Sequence, residues 1–250
     1  GGSVRGIVAA KLNMPYVGND LREKQVVANI ENAKEVLGNM PADIAPRWTV
    51  GDSTQLEDVL QKNGVTGDFD MVFSCPPYAD LEVYSNDPRD ISNMDYPQFL
   101  DKAAIKQACA RLKNNRFAVF VVGDIRDKKG IYRNFIGHTI EAFTECGLSY
   151  YNHLILVNQV TSLAIRVRKQ MNTGRKIGKL HQNVLVFCKG SVEETVDQFE
   201  EVQVTKAVEQ FNKTRANSGL HDDVLVFYKG DPKAIKEEFG ELHAGDDLPQ

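Results

Sequence analysis

An α/β fold with a mostly parallel sheet is predicted by three observations. Apolar runs of five to seven residues alternate with stretches of helical periodicity, and several of these runs end in an acidic residue. One run, Phe117 to Val122, is almost continuously apolar, as a central strand covered on both faces must be.

The elements follow in order. Gly1-Gly2-Ser3-Val4-Arg5-Gly6 leads into a helix from Val4 to Leu12. A glycine-rich turn opening a helix lets a ligand approach backbone amides. In that reading the strand feeding the turn lies upstream and is missing; the alternative is a flexible Gly-Gly-Ser lead. Tyr16 to Leu21 is a short strand carrying Asp20, followed by a helix from Arg22 to Leu37 with Val26, Ile30, Ala33 and Leu37 at helical spacing. Trp48 to Asp52 repeats the pattern, then Leu56 to Gln61 as a short helix, then Phe69 to Cys75 as a third strand. Parallel β-α-β units place all three strand ends along one sheet edge, where such folds bind ligands. Asp20 or Asp52 alone reads as a turn or helix cap. In phase with the third strand end, they point to a site.

That third end is Ser74-Cys75-Pro76-Pro77-Tyr78. Two prolines cannot donate to a sheet ladder, so the strand stops and the loop beyond is stiff, with Tyr78 presented at the strand's carboxyl end. A rigid turn with a packing tyrosine is the plain alternative. Residues 79–95 are polar and acidic and too long for a mere connector, which favours a functional loop. Tyr96 to Leu112 reads as a helix, Phe117 to Val122 as the central strand ending at Gly123-Asp124, Ile131 to Cys146 as a helix and Tyr150 to Val160 as a strand region.

Net charge is −4, which argues against a uniformly basic surface. Between Thr161 and Leu180, however, Arg166, Arg168, Lys169, Arg175, Lys176 and Lys179 occur with no acidic residue among them. This is either a solvated loop or a nucleic-acid contact, the latter suited by the interleaved Gln170, Asn172 and Thr173. The C-terminal part repeats itself at an offset of 40 residues: Leu180-His181, Val184 to Phe187 and Lys189-Gly190 match Leu220-His221, Val224 to Phe227 and Lys229-Gly230. A local duplication of one strand-helix unit is the reading, and only one copy can fill a given place in a sheet. The tail after His243 is expected to be disordered.

Cys75, Cys109, Cys146 and Cys188 form no Cys-x-x-Cys pair, and the histidines show no ligand spacing, so neither a disulfide framework nor a metal site is expected. No window is long and apolar enough for a membrane span, and no signal-peptide pattern opens the chain, so an intracellular, cytoplasmic protein without a membrane partner is expected.

Together these residues resemble the S-adenosylmethionine-dependent amino-methyltransferases of DNA, the adenine-N6 and cytosine-N4 class of phages and bacteria. Gly1-Gly2-Ser3 resembles the end of that family's Asp-Pro-Phe-x-Gly-Gly-Ser cofactor loop. Asp20 is similar to the acid that binds the cofactor ribose, Gly51-Asp52-Ser53 to the segment at the cofactor adenine, and Ser74 to Tyr78 to the catalytic loop. Arg175 to Phe187 resembles the last strand and the loop before it.

The resemblance implies a Rossmann-like methyltransferase domain over residues 1–190, its doubly wound sheet ending in an antiparallel strand. Residues 191–242 are then an extension carrying the duplicate of the 172–199 unit, and the resemblance further implies S-adenosylmethionine as cofactor, DNA as partner and no metal. One departure lies at the reaction centre: Cys75 stands where Asp, Asn or Ser is usual, and a thiol is a weak acceptor. Three groups therefore compete to hold the target amine: Cys75, Ser74 and the Pro76 carbonyl. Methylation of RNA or protein, or DNA binding without turnover, are the alternatives.

Overall fold

The computed structural model describes residues 2–78, 83–94, 96, 103–127, 129–157, 167–168, 172 and 178–198. Its elements among these are α1 (Val4–Lys11), β1 (Val17–Asp20), α2 (Glu23–Leu37), β2 (Arg47–Val50), α3 (Leu56–Lys62), β3 (Phe69–Ser74), α4 (Ala103–Ala110), β4 (Leu112–Val122), α5 (Phe135–Glu145), β5 (Leu148–Val157), β6 (His181–Lys189) and α6 (Val192–Asp197). The protein is α/β. β1 pairs with β2 in parallel, and β3 pairs with β4 in parallel within a ladder of order β3-β4-β6-β5.

Gly1–Asn152 with Leu185–Ser191 form one compact unit, and His153–Val184 with Val192–Gln250 a second. In the first, the core is built where β4 and β6 meet α5. Phe143 of α5 stacks on Phe187 at 4.1 Å between ring centres and meets Phe120 edge-on at 4.6 Å. Phe135, Phe143, Leu112, Val122, Leu185 and Phe187 are almost fully buried, and burying such side chains contributes roughly 1.5–3 kcal/mol each. In the second unit, the His153 Nε2 and Asn183 Oδ1 atoms are hydrogen-bonded at 2.8 Å.

Two boundaries depart from the sequence reading. β4 begins at Leu112, inside the stretch read as the end of a helix, and continues through the polar Lys113 to Arg116 before the apolar run. Periodicity misses this extension because its side chains do not enter the core. Lys113 and Arg116 instead both donate to the Asp70 carboxylate on β3, at 2.8 and 3.0 Å, and a register shift between Phe69 and Met71 absorbs the extra residues. Asn115 adopts a left-handed φ of 58° and accepts the Ser191 N–H at 3.1 Å. The helix read from Ile131 starts later, at Phe135.

The Lys-Gly of the first repeat copy has a structural role. The Lys189 ammonium donates to the carbonyls of Cys109 (2.8 Å) and Leu112 (2.6 Å), satisfying acceptors at and just beyond the end of α4. Gly190 turns the chain with φ of 93°, pressed so close to Asn115 that a Cβ would meet its Oδ1 at 2.5 Å. The second copy, residues 212–239, and the tail after His243 lie outside the described residues.

α1 ties the two ladders of the first unit together. Arg5 places its guanidinium 5.0 Å from the centre of the Phe73 ring on β3. Its neighbour Gly6 lies against β2, where a Cβ would come within 2.6 Å of Trp48 Cζ2. Among the described residues no helix is long and apolar enough to cross a membrane.

Candidate active site

The carboxyl ends of β1 and β2 carry the first cluster. Asp20 ends β1, half-buried, and its Oδ1 accepts the Arg22 N–H at 3.0 Å, which starts α2 with an Asx turn. Asp52 caps the single turn Ser53–Gln55, its Oδ1 accepting from both the amide and the hydroxyl of Thr54 at 2.8 Å. Asp20 thus makes a turn and Asp52 a cap, the two roles expected of such an acid alone, and both stand at the end of the same parallel pair.

Asn19, a residue the sequence reading passed over, joins the two ends. Its Nδ2 donates to the Gly51 carbonyl at 3.0 Å and to Ser53 Oγ at 3.2 Å, while its Oδ1 accepts from Thr49 Oγ1 at 2.9 Å. Its only sequence signal was its place beside Asp20. Gly51 completes the clamp, because a Cβ there would overlap the Val59 side chain of α3. Gly51→Ala is expected to destabilise the protein by about 1–3 kcal/mol through this overlap, visible as a lowered urea midpoint. An unchanged midpoint would show that α3 yields freely.

The glycine-rich lead is less committed to a ligand. Gly2 is exposed, and Gly1 lies outside the described residues. Ser3 is buried, and its Oγ accepts a hydrogen bond from Asn32 Nδ2 on α2, so this hydroxyl orders the α1–α2 contact.

The second cluster leaves β3. Ser74 is still in register, opposite Phe120, whereas Cys75 lies beyond the ladder and is exposed. Pro76, Pro77 and Tyr78 follow half-buried. Tyr78 packs against the core: its ring meets Phe135 edge-on at 6.3 Å, and its hydroxyl lies over Gly123, where a Cβ would be 3.2 Å from Oη. Phe135 in turn contacts Tyr96 at 6.1 Å between ring centres. The Tyr96 hydroxyl is hydrogen-bonded to His138 Nδ1 at 2.9 Å, and burial pushes its phenol up to about 12, against the pull of the Arg133 guanidinium 5.0 Å from its ring. These supports come from α5 and the end of β4, too far along the chain for a local motif to reveal.

The thiols differ sharply in setting. Burial, with the neighbouring Cys146, pushes Cys109 up to about 12, while Cys75 is exposed. N-ethylmaleimide at neutral pH is therefore expected to modify Cys75 at least about 10-fold faster than Cys109 in the folded protein. Peptide mapping that finds equal labelling would contradict this difference in burial.

The segment after Tyr78 carries an ordered polar network. Asp90 is buried and accepts from Ser85 Oγ at 2.7 Å and from the amide and hydroxyl of Ser92 at 2.9 and 2.7 Å. Burial works against its ionisation, yet the bonds from Ser85 and Ser92 hold its carboxyl below the usual range. Residues 79–82 and 95 lie outside the described residues. Of the basic stretch, Arg168 is exposed and Lys179 half-buried; Arg166, Lys169, Arg175 and Lys176 lie outside the described residues. Among the described residues no cluster of His, Cys, Asp and Glu could hold a metal ion.

No protein-family model and no curated protein matches the chain. Solved structures do resemble it distantly. A protein of Thermus thermophilus, provisionally assigned as a DNA modification methylase, is 17% identical with a TM-score of 0.40, over 66% of this chain and 58% of that one. This chain thus spans under two thirds of that protein. An S-adenosylmethionine-dependent methyltransferase of Methanosarcina mazei is 13% identical with a TM-score of 0.48, over 76% and 89% of the two chains. A methyltransferase of Pyrococcus furiosus is 16% identical with a TM-score of 0.47, over 76% and 70%. Likenesses at this level decide neither activity nor substrate.

Proposed function

We propose that this protein transfers a methyl group from S-adenosylmethionine to the exocyclic amino group of adenine (N6) or cytosine (N4) in DNA, with residues 1–190 as the catalytic domain. The observation that carries this reading is the Ser74–Tyr78 segment. It leaves the carboxyl end of a parallel strand, is stiffened by two prolines and is anchored through Tyr78 on Gly123 and Phe135.

The donor set at the β1–β2 end fits the cofactor. Two half-buried carboxylates and the Ser53 hydroxyl suit a nucleoside with vicinal hydroxyls and a base amine, Asp20 toward the ribose and Asp52 with Ser53 toward the adenine. Gly1, Gly2 and Ser3 would border it through backbone, since the Ser3 hydroxyl is engaged by Asn32. When bound, the cofactor supplies an electrophilic methyl on a sulfonium, so the transfer requires no metal.

The chain's own residues act on the amine. An exocyclic amino nitrogen conjugated to a base ring is a poor nucleophile, because its lone pair is delocalised. An acceptor that holds the amino hydrogens favours a pyramidal nitrogen and aims the lone pair at the methyl. The Pro76 carbonyl, fixed by its ring and by Pro77, has that rigidity. Cys75, beyond the ladder, is the side chain next in line, and Ser74 is still held in register. The amino nitrogen gives up one of its hydrogens as a proton, which leaves for solvent. A base inside a duplex cannot reach these groups, so it is flipped out and meets Tyr78. The basic stretch from Arg166 through Arg168, Lys169, Arg175 and Lys176 to Lys179 serves the DNA backbone.

Methyl-labelled S-adenosylmethionine offered with DNA, RNA and protein substrates tests the proposal. Label in DNA at N6 or N4 supports it, and label only in RNA or protein replaces the substrate. Cofactor binding by calorimetry without transfer to any substrate would leave a binding module.

A further inference from the structure

We infer that the hairpin formed by residues 125–127 and 129–133 is a DNA-invading element, whose exposed apolar side chains enter the base stack beside the target while its cations hold the flanking phosphates. The inference rests on the DNA reading above and names how that same site opens the duplex.

The hairpin is narrow and internally fixed. Arg133 N–H donates to the Ile125 carbonyl at 3.0 Å, Asp127 N–H to the Ile131 carbonyl at 2.8 Å, and Gly130 N–H to the Asp127 carbonyl at 2.9 Å. Arg126 and Tyr132 face each other as an antiparallel bridge, and Gly130 makes the turn with φ of 87°. The Asp127 carboxylate accepts the Ile131 N–H at 2.8 Å, so this acid is spent on the turn. Arms bonded to each other in this way are preorganised, and little conformational freedom is lost when they meet a partner.

Its surface combines two chemistries. Ile131 is 63% exposed and Tyr132 43%, although Ile125 at the base of the hairpin is only 6% exposed. The Arg126 guanidinium stacks 3.7 Å from the centre of the Tyr132 ring and donates to the Gly130 carbonyl, while Lys129 is exposed. An apolar wedge flanked by cations suits a polymer that is anionic outside and flat and apolar within, as a nucleic acid is.

Position decides the role. Tyr78 touches the chain just before the hairpin, at Gly123, and just after it, at Phe135. The hairpin therefore begins and ends beside the two contacts that hold Tyr78, which sets it next to a base brought to Tyr78. An isolated exposed isoleucine is ordinary on a protein surface. One set on a rigid turn, beside a cation-stacked tyrosine and the loop that meets the base, is matched to the space a flipped base vacates.

The test uses the full chain and a short duplex carrying a site that it methylates, either fully paired or with an abasic position opposite the target base. Ile131→Ser is expected to slow single-turnover methylation of the paired duplex by about 10-fold, and the abasic partner to restore most of that loss, because an unpaired base needs no wedge. Lys129→Ala is expected to lower the salt dependence of DNA binding by about one unit of slope. Equal loss by Ile131→Ser on both duplexes, or none on either, overturns the wedge, and an unchanged slope overturns the phosphate contact. In each of those cases the methyltransferase reading stands if the parent protein methylates the duplexes. A parent that methylates no DNA overturns both. A thermal midpoint unchanged by Ile131→Ser separates these outcomes from loss of fold.

Discussion

Tyr78→Ala is expected to lower the rate of methyl transfer by roughly 100-fold while leaving cofactor affinity within about 2-fold, the range given by losing one base-stacking surface worth about 1–3 kcal/mol. The expectation follows from where the ring sits. It is half-buried against Phe135 and Gly123, so its removal both deletes the surface proposed for a flipped base and unpins the loop carrying the Pro76 carbonyl. Tyr78→Phe keeps the ring and separates these effects from the hydroxyl, and it should retain most of the rate. Single-turnover kinetics with a separate calorimetric measurement of cofactor binding decides the matter. Equal losses in rate and cofactor affinity would remove Tyr78 from the amine side of the site.

Asp20→Ala should do the reverse: about 10- to 100-fold weaker cofactor binding, as for a lost hydrogen bond to a charged group, with a smaller change in the rate at saturating cofactor. Because Asp20 also accepts the Arg22 N–H, the alanine variant loses a turn hydrogen bond just before α2 worth about 1 kcal/mol. Asp20→Asn retains that contact and removes only the charge. Both variants should therefore bind cofactor weakly, while only the alanine variant loses thermal stability. If Asp20→Asn binds normally, the acid forms a turn and nothing more.

Much of the fold was legible because its strands are short apolar runs with abrupt ends, and because the helices between them keep one apolar face. The carboxyl ends of β1, β2 and β3 were legible for the same reason, since an acid or a proline pair after an apolar run is a local event. Asn19 was not, because its meaning lies in Gly51 and Ser53, which the parallel pairing brings to it across some thirty residues of chain. Phe135 was hidden differently: it reads as one more apolar residue opening a helix, and only packing shows that it braces both Tyr78 and Tyr96. The early start of β4 escaped because Lys113 to Arg116 join the ladder through ion pairs with Asp70, outside any hydrophobic pattern.

The successive residues Arg5 and Gly6 carry a constraint on the chain's history. One touches the strand that leads to Pro76 and Pro77 and the other the strand that leads to Asp52. Each residue of an α-helix advances the azimuth by about 100°, so inserting or deleting one residue between them and the buried Ala10 would swing both contacts away from their partners together. Substitutions at other positions of α1 leave that phase intact. Relatives of this protein should accordingly vary at the exposed Val4 and Val8 of α1 and hardly at all in the number of residues it contains.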